Sequence, residues 1–415
     1  MISKRAAWPL VALLTALSLS TLFMSSHAAA ESCQSLREQH GVDVVSIHCG
    51  GAPSATLDAD GRLWVAFVQN KHVFVSRSDD NGQTYTAPVQ VNAVAEDTEY
   101  NGENRPKIIV AESGEVLLSW TTKTSPNFTG EIRFTRSIDG GRTFEAPRTM
   151  NDDGLMTGHR FDSLFLTDSG KLYLTWIDKR DLDAAAARSE TYPGAAIYYT
   201  VSEDLGKTFT RNFRVSHNSC ECCRIAMAPH GEDNVAILWR QIYGEEIRDH
   251  AIAVLGTDGE VTGLNRATVD DWVINACPHH GPTIVEAESA GEYHISWFSA
   301  GNLHSGIHYG RYNMASGTAD NIIKVDGTPG AGHPYLASFD GTLTIVWKGF
   351  NGIASQLQMM QSQDNGVSWS HPLTLFNTER ASDHPLLVSS EQGVFLSWSS
   401  EEFGYIFKEL SHGHQ

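Results

Sequence analysis

The sequence predicts an all-β protein, built as a single β-propeller of four-stranded blades, because one pattern repeats along the chain. An apolar strand that follows a turn with Gly or Asp ends in an aromatic residue seven times, at intervals of 50 to 63 residues. Another short apolar strand precedes each of these strands, and a third follows most of them. Short strands at a regular spacing between Gly and Asp turns are typical of propeller blades. The seven aromatic residues are Phe67, Trp120, Trp176, Trp239, Trp297, Trp347 and Trp398.

The number of repeats favours seven blades, with six as the alternative if one of the weaker units is an insertion. The last unit has no room for an outer strand, because only residues 411–415 follow its third apolar run. The apolar segment 42–48 can supply that strand by pairing the two ends of the chain. We therefore expect a ring closed by an N-terminal strand, since closure removes exposed sheet edges.

The first thirty residues have the three-part layout of a secretory signal peptide. Lys4 and Arg5 precede an apolar stretch over residues 6–24, and small residues lead to a cleavage position after Ala28 or Ala30. An uncleaved membrane anchor is the alternative. We expect residues 1–30 to be removed and residues 31–415 to form the propeller, exported to the periplasm or secreted.

The balance of charges excludes one class of partner. The chain carries 49 acidic and 30 basic side chains, a formal net charge of −19. Binding to DNA or RNA phosphates needs a basic face, and the sequence shows none. No phosphate-binding glycine loop occurs either, so no nucleotide cofactor is expected. The partners that remain are a metal ion or a small anionic ligand.

A second repeated pattern follows the third strand of four units. It reads Ser-x-Asp-x-Gly-x-Thr/Ser-aromatic, and its copies begin at Ser78, Ser137, Ser202 and Ser362. An Asp in such a turn can accept hydrogen bonds from nearby backbone amides, and the Gly supplies a positive φ. We expect the terminal aromatic side chain to pack into the blade.

This pattern resembles the Asp-box (BNR repeat) of the sialidase, or neuraminidase, superfamily, and the resemblance covers nearly the whole mature chain. It implies a propeller in which the boxes are structural and lie away from the active site. It also implies three arginines that hold a substrate carboxylate, the first in an Arg-Ile-Pro motif before the first box. At that place the chain reads Gly51-Ala52-Pro53, without the arginine. A sialidase-like scaffold with a different site is therefore the preferred interpretation.

Cysteines, histidines and arginines recur just before the first strand of each unit. If that strand lies nearest the propeller axis, the residues before it gather around one mouth of the central channel. Five of the six cysteines fall in this register, together with several histidines and three arginines.

The clustered Cys and His side chains predict a site for a thiophilic transition metal, with copper favoured over zinc. The alternative is a disulfide framework, which an exported protein with six cysteines can form. Cys49 is open to both interpretations, as a metal ligand or as the partner of Cys33. The candidate ligands are Cys49, Cys220, Cys222, Cys223, Cys277, His279, His280, His333 and His384.

The arginines support a second hypothesis, a clamp for a carboxylate or another anion, made by Arg105, Arg160 and Arg224. With the family resemblance, that clamp implies an exo-α-sialidase or a related glycoside hydrolase acting on an acidic sugar. A non-catalytic interaction module that uses the propeller face is the third possibility.

Overall fold

The computed structural model of the protein describes residues 32–41, 44–126, 128–192 and 194–410. The predicted signal peptide lies outside these residues. Nearly all of the regular secondary structure in the described chain is antiparallel β-strand, as predicted, and the exceptions are two short helices, α1 (Cys33–His40) and α2 (Arg180–Ala187). None of its helices is long and apolar enough to span a bilayer.

The strands form seven consecutive groups, which we call units 1 to 7. Unit 1 contains β1 (Gly51–Leu57), β2 (Leu63–Gln69), β3 (His72–Ser78) and β4 (Val89–Gln90); unit 2 contains β5 (Lys107–Val110), β6 (Val116–Lys123), β7 (Gly130–Ser137) and β8 (Arg148–Thr149); unit 3 contains β9 (His159–Leu166), β10 (Leu172–Asp178), β11 (Ala195–Ser202) and β12 (Phe213–Ser219); unit 4 contains β13 (Ala226–His230), β14 (Asn234–Tyr243), β15 (Ile247–Leu255) and β16 (Val261–Arg266); unit 5 contains β17 (Thr283–Glu286), β18 (Glu292–Ala300), β19 (Ser305–Asn313) and β20 (Thr318–Asp326); unit 6 contains β21 (Gly332–Phe339), β22 (Thr342–Phe350), β23 (Ser355–Ser362) and β24 (Leu373–Thr378); and unit 7 contains β25 (Leu386–Ser390), β26 (Gly393–Ser400) and β27 (Gly404–Glu409).

Within each unit the strands pair in the order of the chain. Units 3 and 4 share one sheet because Ser219 of β12 pairs with Gln241 of β14. The first strands of the units contact one another in succession, from β1 and β5 through to β21 and β25, and β25 contacts β1. The starts of these first strands therefore lie close together in space.

Apolar side chains are buried between successive units. The described residues contain seven such clusters, six between consecutive units and one between unit 7 and unit 1. The repeated aromatic residue of the second strand is a member of each cluster. Trp120, Trp176, Trp239, Trp297 and Trp347 are among the largest fully buried side chains. The aromatic repeat in the sequence thus corresponds to the contact between neighbouring sheets.

The predicted closing strand is wrong for the residues that the structure describes. Residues 42 and 43 lie outside the description, and residues 44–48 form no strand. Instead, Val45 and Ile47 pack into the cluster between unit 7 and unit 1, and the backbone N–H of Tyr405 donates to His48 Nδ1 at 3.2 Å. The backbone turns where Cys49 N–H bonds Ser46 O, and this turn prevents an extended ladder.

The four Ser-x-Asp turns share one hydrogen-bond pattern. In unit 2, Asp139 Oδ1 accepts the backbone N–H groups of Arg142 and Thr143 at 3.0 and 2.9 Å, and Ser137 Oγ accepts that of Gly141. Gly141 has φ of 76°, and a Cβ there would lie 2.6 Å from the Trp64 ring. The terminal aromatic residues pack against the preceding unit, as expected of a structural turn. They are Tyr85, Phe144, Phe209 and Trp369.

We expect these turns to make stability fall in acid. The hydroxyl and backbone N–H of Thr84 hold the pKa of Asp80 at about 2, against the ordinary 3.8. A carboxylate with a depressed pKa stabilises the fold fully above about pH 4, and this contribution is lost as the pH falls towards about 2. Asp80→Asn should lower the urea midpoint at neutral pH and flatten its decrease in acid.

Asp79→Asn is the matched control, because Asp79 is an exposed neighbour whose carboxylate contacts the Arg77 guanidinium instead. Its urea midpoints should follow those of the unaltered protein. Equal acid sensitivity of the Asp80→Asn variant and the unaltered protein would contradict the structural role of the turn.

Candidate functional site

Residues at or just before the first strands of five units meet at one place. Glu103 Oε1 lies 2.9 Å from His333 Nδ1 and 3.6 Å from His384 Nδ1, although these residues belong to units 2, 6 and 7. Arg224, which precedes β13, and His280, which precedes β17, complete this cluster. We call these five side chains the Glu103 group.

Glu103 is buried, yet it is ionised. Burial raises the pKa of its carboxyl, but the Arg224 guanidinium, 3.6 Å away, and the hydrogen bond with His333 together hold the pKa well below its usual range. The other carboxylate oxygen accepts the backbone N–H of Gly281 at 2.9 Å. The sequence analysis missed this residue, although it stands in the same register, two positions before Arg105.

The histidines of the group are stacked. The centroid of the His333 ring lies 3.4 Å from that of His384 and 4.3 Å from that of His280. The His280 ring also stacks on Phe298, with 4.1 Å between the ring centroids. Burial lowers the pKa of His280 to about 3 and that of His333 below its ordinary value. Both imidazoles are therefore neutral near pH 7 and can accept a proton or bind a ligand.

Three predicted metal ligands form a second cluster, in the loop between β12 and β13. Cys220 Sγ lies 3.7 Å from Cys222 Sγ and 3.8 Å from Cys223 Sγ, and all three side chains are buried. Their donor atoms lie within 4.8 Å of one another. We call these three side chains the thiol group.

Buried cations adjoin the thiol group. Arg248 Nη1 donates to Cys220 Sγ at 3.3 Å, and Arg240 is buried nearby. Hydrogen bonds from Cys222 and Cys223, together with the two guanidinium charges, hold the pKa of Cys220 well below its ordinary value. The donated hydrogen bonds and burial raise the pKa values of the two other thiols. Without a metal, the group therefore holds one thiolate that accepts hydrogen bonds from two thiols.

Two further predicted ligands, Cys277 and His279, lie on the solvent side of the thiol group. Their donor atoms are within 4.8 Å of each other and of Cys222 Sγ, and both side chains are exposed. The neighbouring Cys222 thiol lowers the pKa of Cys277 to about 7. We call Cys277 and His279 the outer pair.

Cys49 does not belong to either cluster. It forms a disulfide with Cys33, with an S–S distance of 2.04 Å and a Cα–Cα distance of 4.8 Å. The disulfide corrects its assignment as a metal ligand, because a bonded sulfur is not a thiolate. The predicted metal ligands are thus divided among the thiol group with its outer pair, the Glu103 group and this disulfide.

The three predicted arginines do not form one clamp. Arg105 is buried and donates from both terminal nitrogens to Asp383, at 2.9 and 3.0 Å. Arg160 pairs in the same bidentate manner with Glu99. Arg224 reaches the Glu103 group, where it also donates to the carbonyl of Pro282. Each of the three cations thus faces a carboxylate, which is Asp383 for Arg105, Glu99 for Arg160 and Glu103 for Arg224, and this corrects the predicted clamp.

Comparisons with known proteins establish the fold alone. No protein-family model and no curated protein matches the chain. An ulvan lyase of polysaccharide lyase family PL25 superposes with a TM-score of 0.53 at 11% identity, covering 88% of this chain and 94% of its own. A protein of unknown function from Dyadobacter fermentans also gives 0.53, at 13% identity over 77% of this chain and 97% of its own. A variant of NanB sialidase from Streptococcus pneumoniae gives 0.48, at 11% identity over 74% of this chain and 66% of its own.

Likeness at this level of identity shows the fold alone, and it agrees with the β-propeller that the sequence predicts. The site adds a buried carboxylate, stacked histidines and a cluster of buried thiols near the starts of the first strands.

The pair of Arg105 and Asp383 should be important for stability, because it connects unit 2 to the loop before unit 7. Arg105→Met would leave the Asp383 carboxylate buried without its partner, and we expect a loss of about 3 kcal/mol or more in the free energy of unfolding. Arg188→Met, at an exposed pair with Glu190, should leave the urea midpoint almost unchanged, because solvent screens an exposed ion pair. Urea unfolding measures both variants, and equal costs would contradict the role assigned to the buried pair.

Proposed function

We propose that the protein is an exported, sialidase-like propeller of seven blades that acts on an acidic saccharide at the Glu103 group. The observation that carries the proposal is the ionised, buried carboxylate of Glu103, set between the Arg224 guanidinium and the rings of His333 and His384. A carboxylate, a cation and neutral imidazoles together can hold an anion and move a proton.

The contacts between units support a number of seven blades. Each unit buries its second-strand aromatic residue against the unit before it, and unit 7 shares a cluster with unit 1. Contact of β25 with β1 closes the series of first strands. In this proposal the N-terminal segment packs between the first and last blades, and no added strand is needed for closure.

Export to the periplasm or secretion is part of the proposal. The N-terminal sequence has the layout of a signal peptide, and the disulfide between Cys33 and Cys49 is of the kind that persists in oxidising compartments.

The side chains favour proton abstraction over hydrolysis by two carboxylates. Hydrolysis of that kind needs a second free carboxylate near the first. The carboxylates of Glu99 and Asp383 are each held by an arginine, and buried Asp162 accepts hydrogen bonds from the hydroxyls of Ser119 and Thr121. Abstraction of the proton next to a uronate carboxylate needs an unprotonated base and a cation that stabilises the developing charge. The C–O bond to the leaving sugar then breaks as the C=C bond forms, and the leaving oxygen takes a proton from solvent.

Each role has a candidate in the Glu103 group or beside it. His333 and His384 retain 17% and 19% exposure, so a ligand can reach them. Arg224 supplies a cation, and Lys107 at the start of β5 supplies another, although burial lowers its pKa to about 8. Glu103 orients His333 through the 2.9 Å hydrogen bond.

The structural comparison favours a saccharide over a metal as the ligand. The PL25 ulvan lyase was solved bound to -[GlcA(1-4)Rha3S]-, a saccharide with a carboxylate and a sulfate. A ligand of that chemistry would suit the cations and imidazoles of the Glu103 group.

We expect turnover of at least one uronate-containing polysaccharide, with an unsaturated product detected by its ultraviolet absorbance. Sialosides with a fluorogenic leaving group and reducing-end assays test hydrolysis in parallel. His384→Gln should lower kcat by about 100-fold or more, because it removes the candidate base. His371→Gln is the control, since His371 is exposed in the loop between β23 and β24.

Binding without turnover, measured by calorimetry, would reduce the proposal to an interaction module. Neither binding nor turnover across the uronates and sialosides would overturn it.

The thiol group carries a second candidate function, the binding of a thiophilic metal, with copper favoured over zinc. Its support is the spacing of three buried sulfurs, 3.7 and 3.8 Å from Cys220 to the other two. We expect about one equivalent of metal in protein purified without an affinity tag, measured by elemental analysis. Metal-free protein with all four of its remaining thiols in disulfides would contradict this function.

A further inference from the structure

We propose that the thiol group holds Cu(I) through Cys220, Cys222 and Cys223, and that the outer pair, sharing Cys222, is the exchange site through which the ion enters and leaves. This inference rests on the metal-binding candidate function and adds the identity of the ion and its route.

The sulfur spacing suits one ion in the middle of the thiol group. Metal–sulfur bonds in proteins are about 2.3 Å long, which places sulfurs about 3.8 Å apart around a tetrahedral ion and about 4.0 Å apart around a trigonal ion. Cys220 Sγ lies 3.7 and 3.8 Å from its two neighbours. A disulfide needs a sulfur separation of about 2.0 Å, so these thiols are spaced for coordination.

The four available thiols do not converge on one point. Cys220, Cys222 and Cys223 form one set of mutually close donor atoms, whereas Cys277 is close to Cys222 and His279 in a different set. A structural zinc site needs four ligands around one ion. Three thiolates satisfy Cu(I), a soft ion for which thiolate is a preferred ligand. The buried set is therefore complete for Cu(I) and one ligand short for Zn(II).

The charge of the site also suits a monovalent ion. Three thiolates and one Cu(I) carry a net charge of about −2, and a buried charge needs compensation. Arg248 contacts Cys220 Sγ, and Arg240 is buried beside it. Two guanidinium cations thus adjoin the proposed complex, and Arg248 also contacts the Glu246 carboxylate at 2.8 Å.

Exposure gives the two sets different roles. The three thiols of the thiol group are at most 2% exposed, so an ion held there has no direct contact with a soluble donor. Cys277 and His279 are exposed, and Cys222 belongs to both sets. A Cu(I) ion bound first by Cys277, His279 and Cys222 can pass inward as Cys220 and Cys223 replace the outer ligands. The copper stays Cu(I) throughout, and each thiol releases its proton to solvent on binding and regains it on release.

Anaerobic titration of the full mature protein with Cu(I), in competition with a chromophoric Cu(I) chelator, tests the proposal. The unaltered protein should take up one tightly held ion, with sulfur-only coordination by X-ray absorption. Cys223→Ser should lower the affinity by roughly 100-fold or more, beyond the usual cost of losing an outer-shell partner. The double variant Cys277→Ser/His279→Gln should keep the affinity and slow transfer from the chelator by about tenfold or more, because the captured ion no longer has a high effective concentration beside Cys222.

Each negative result of these experiments would overturn a different part of the proposal. An unaltered protein with reduced thiols that binds no Cu(I) would overturn the metal-binding function itself. An equal loss of affinity in the Cys223→Ser and Cys277→Ser/His279→Gln variants would show a four-ligand site of the zinc type and overturn the assignment of three thiolates. Unchanged affinity and unchanged transfer rate in the double variant would overturn the exchange site alone. Circular dichroism of each variant, with His371→Gln as control, establishes that the fold is retained.

Discussion

The arrangement of the molecule depends on how the tryptophans of the second strands are buried. A buried indole gains from its large apolar surface, but its N–H must find an acceptor. In three units a carboxylate from the end of the preceding unit accepts this hydrogen bond: Glu96 for Trp120, Asp270 for Trp297 and Asp326 for Trp347, at 2.7 to 2.9 Å. Those carboxylates stand at the beginning of the segments that lead to the next first strand. The same interaction that packs two sheets therefore also positions the segments that carry Glu103, His280 and His333.

Charged side chains are tolerated in the buried region near the starts of the first strands because each has a partner of opposite charge. Glu103 has Arg224, Arg105 has Asp383, and the Cys220 thiolate has Arg248. Removal of one member would leave a buried charge unpaired, which costs more than the pair contributes. The loops therefore stay in register although they belong to different units and contain little regular structure.

The repeat allowed the fold to be predicted, because a blade is a local unit whose strands and turns have local sequence signals. The same register placed Arg224, His280, His333 and His384 near the starts of first strands. It did not indicate which side chains are already paired. Asp383 and its partner Arg105 are 278 residues apart in sequence, and Glu99 and Arg160 are 61 residues apart. No local sequence pattern identifies partners at such separations.

Glu103 was missed for a related reason, since a lone glutamate in a loop has no distinctive spacing. The strand expected at 42–48 failed because the turn at Ser46 and Cys49 overrides an apolar run that suits a strand by composition.

One short segment, residues 277–281, touches both clusters. Cys277 and His279 face Cys222, whereas His280 stacks on His333 and the Gly281 N–H bonds Glu103. A Cβ at Gly281 would lie 2.4 Å from Arg224 Cβ, so the segment has little freedom to adjust at one end without moving at the other. If binding at either cluster moves this segment, the occupancies of the two clusters are thermodynamically linked. If a ligand at one cluster changes the affinity of the other by some factor, the second ligand must change the affinity of the first by the same factor.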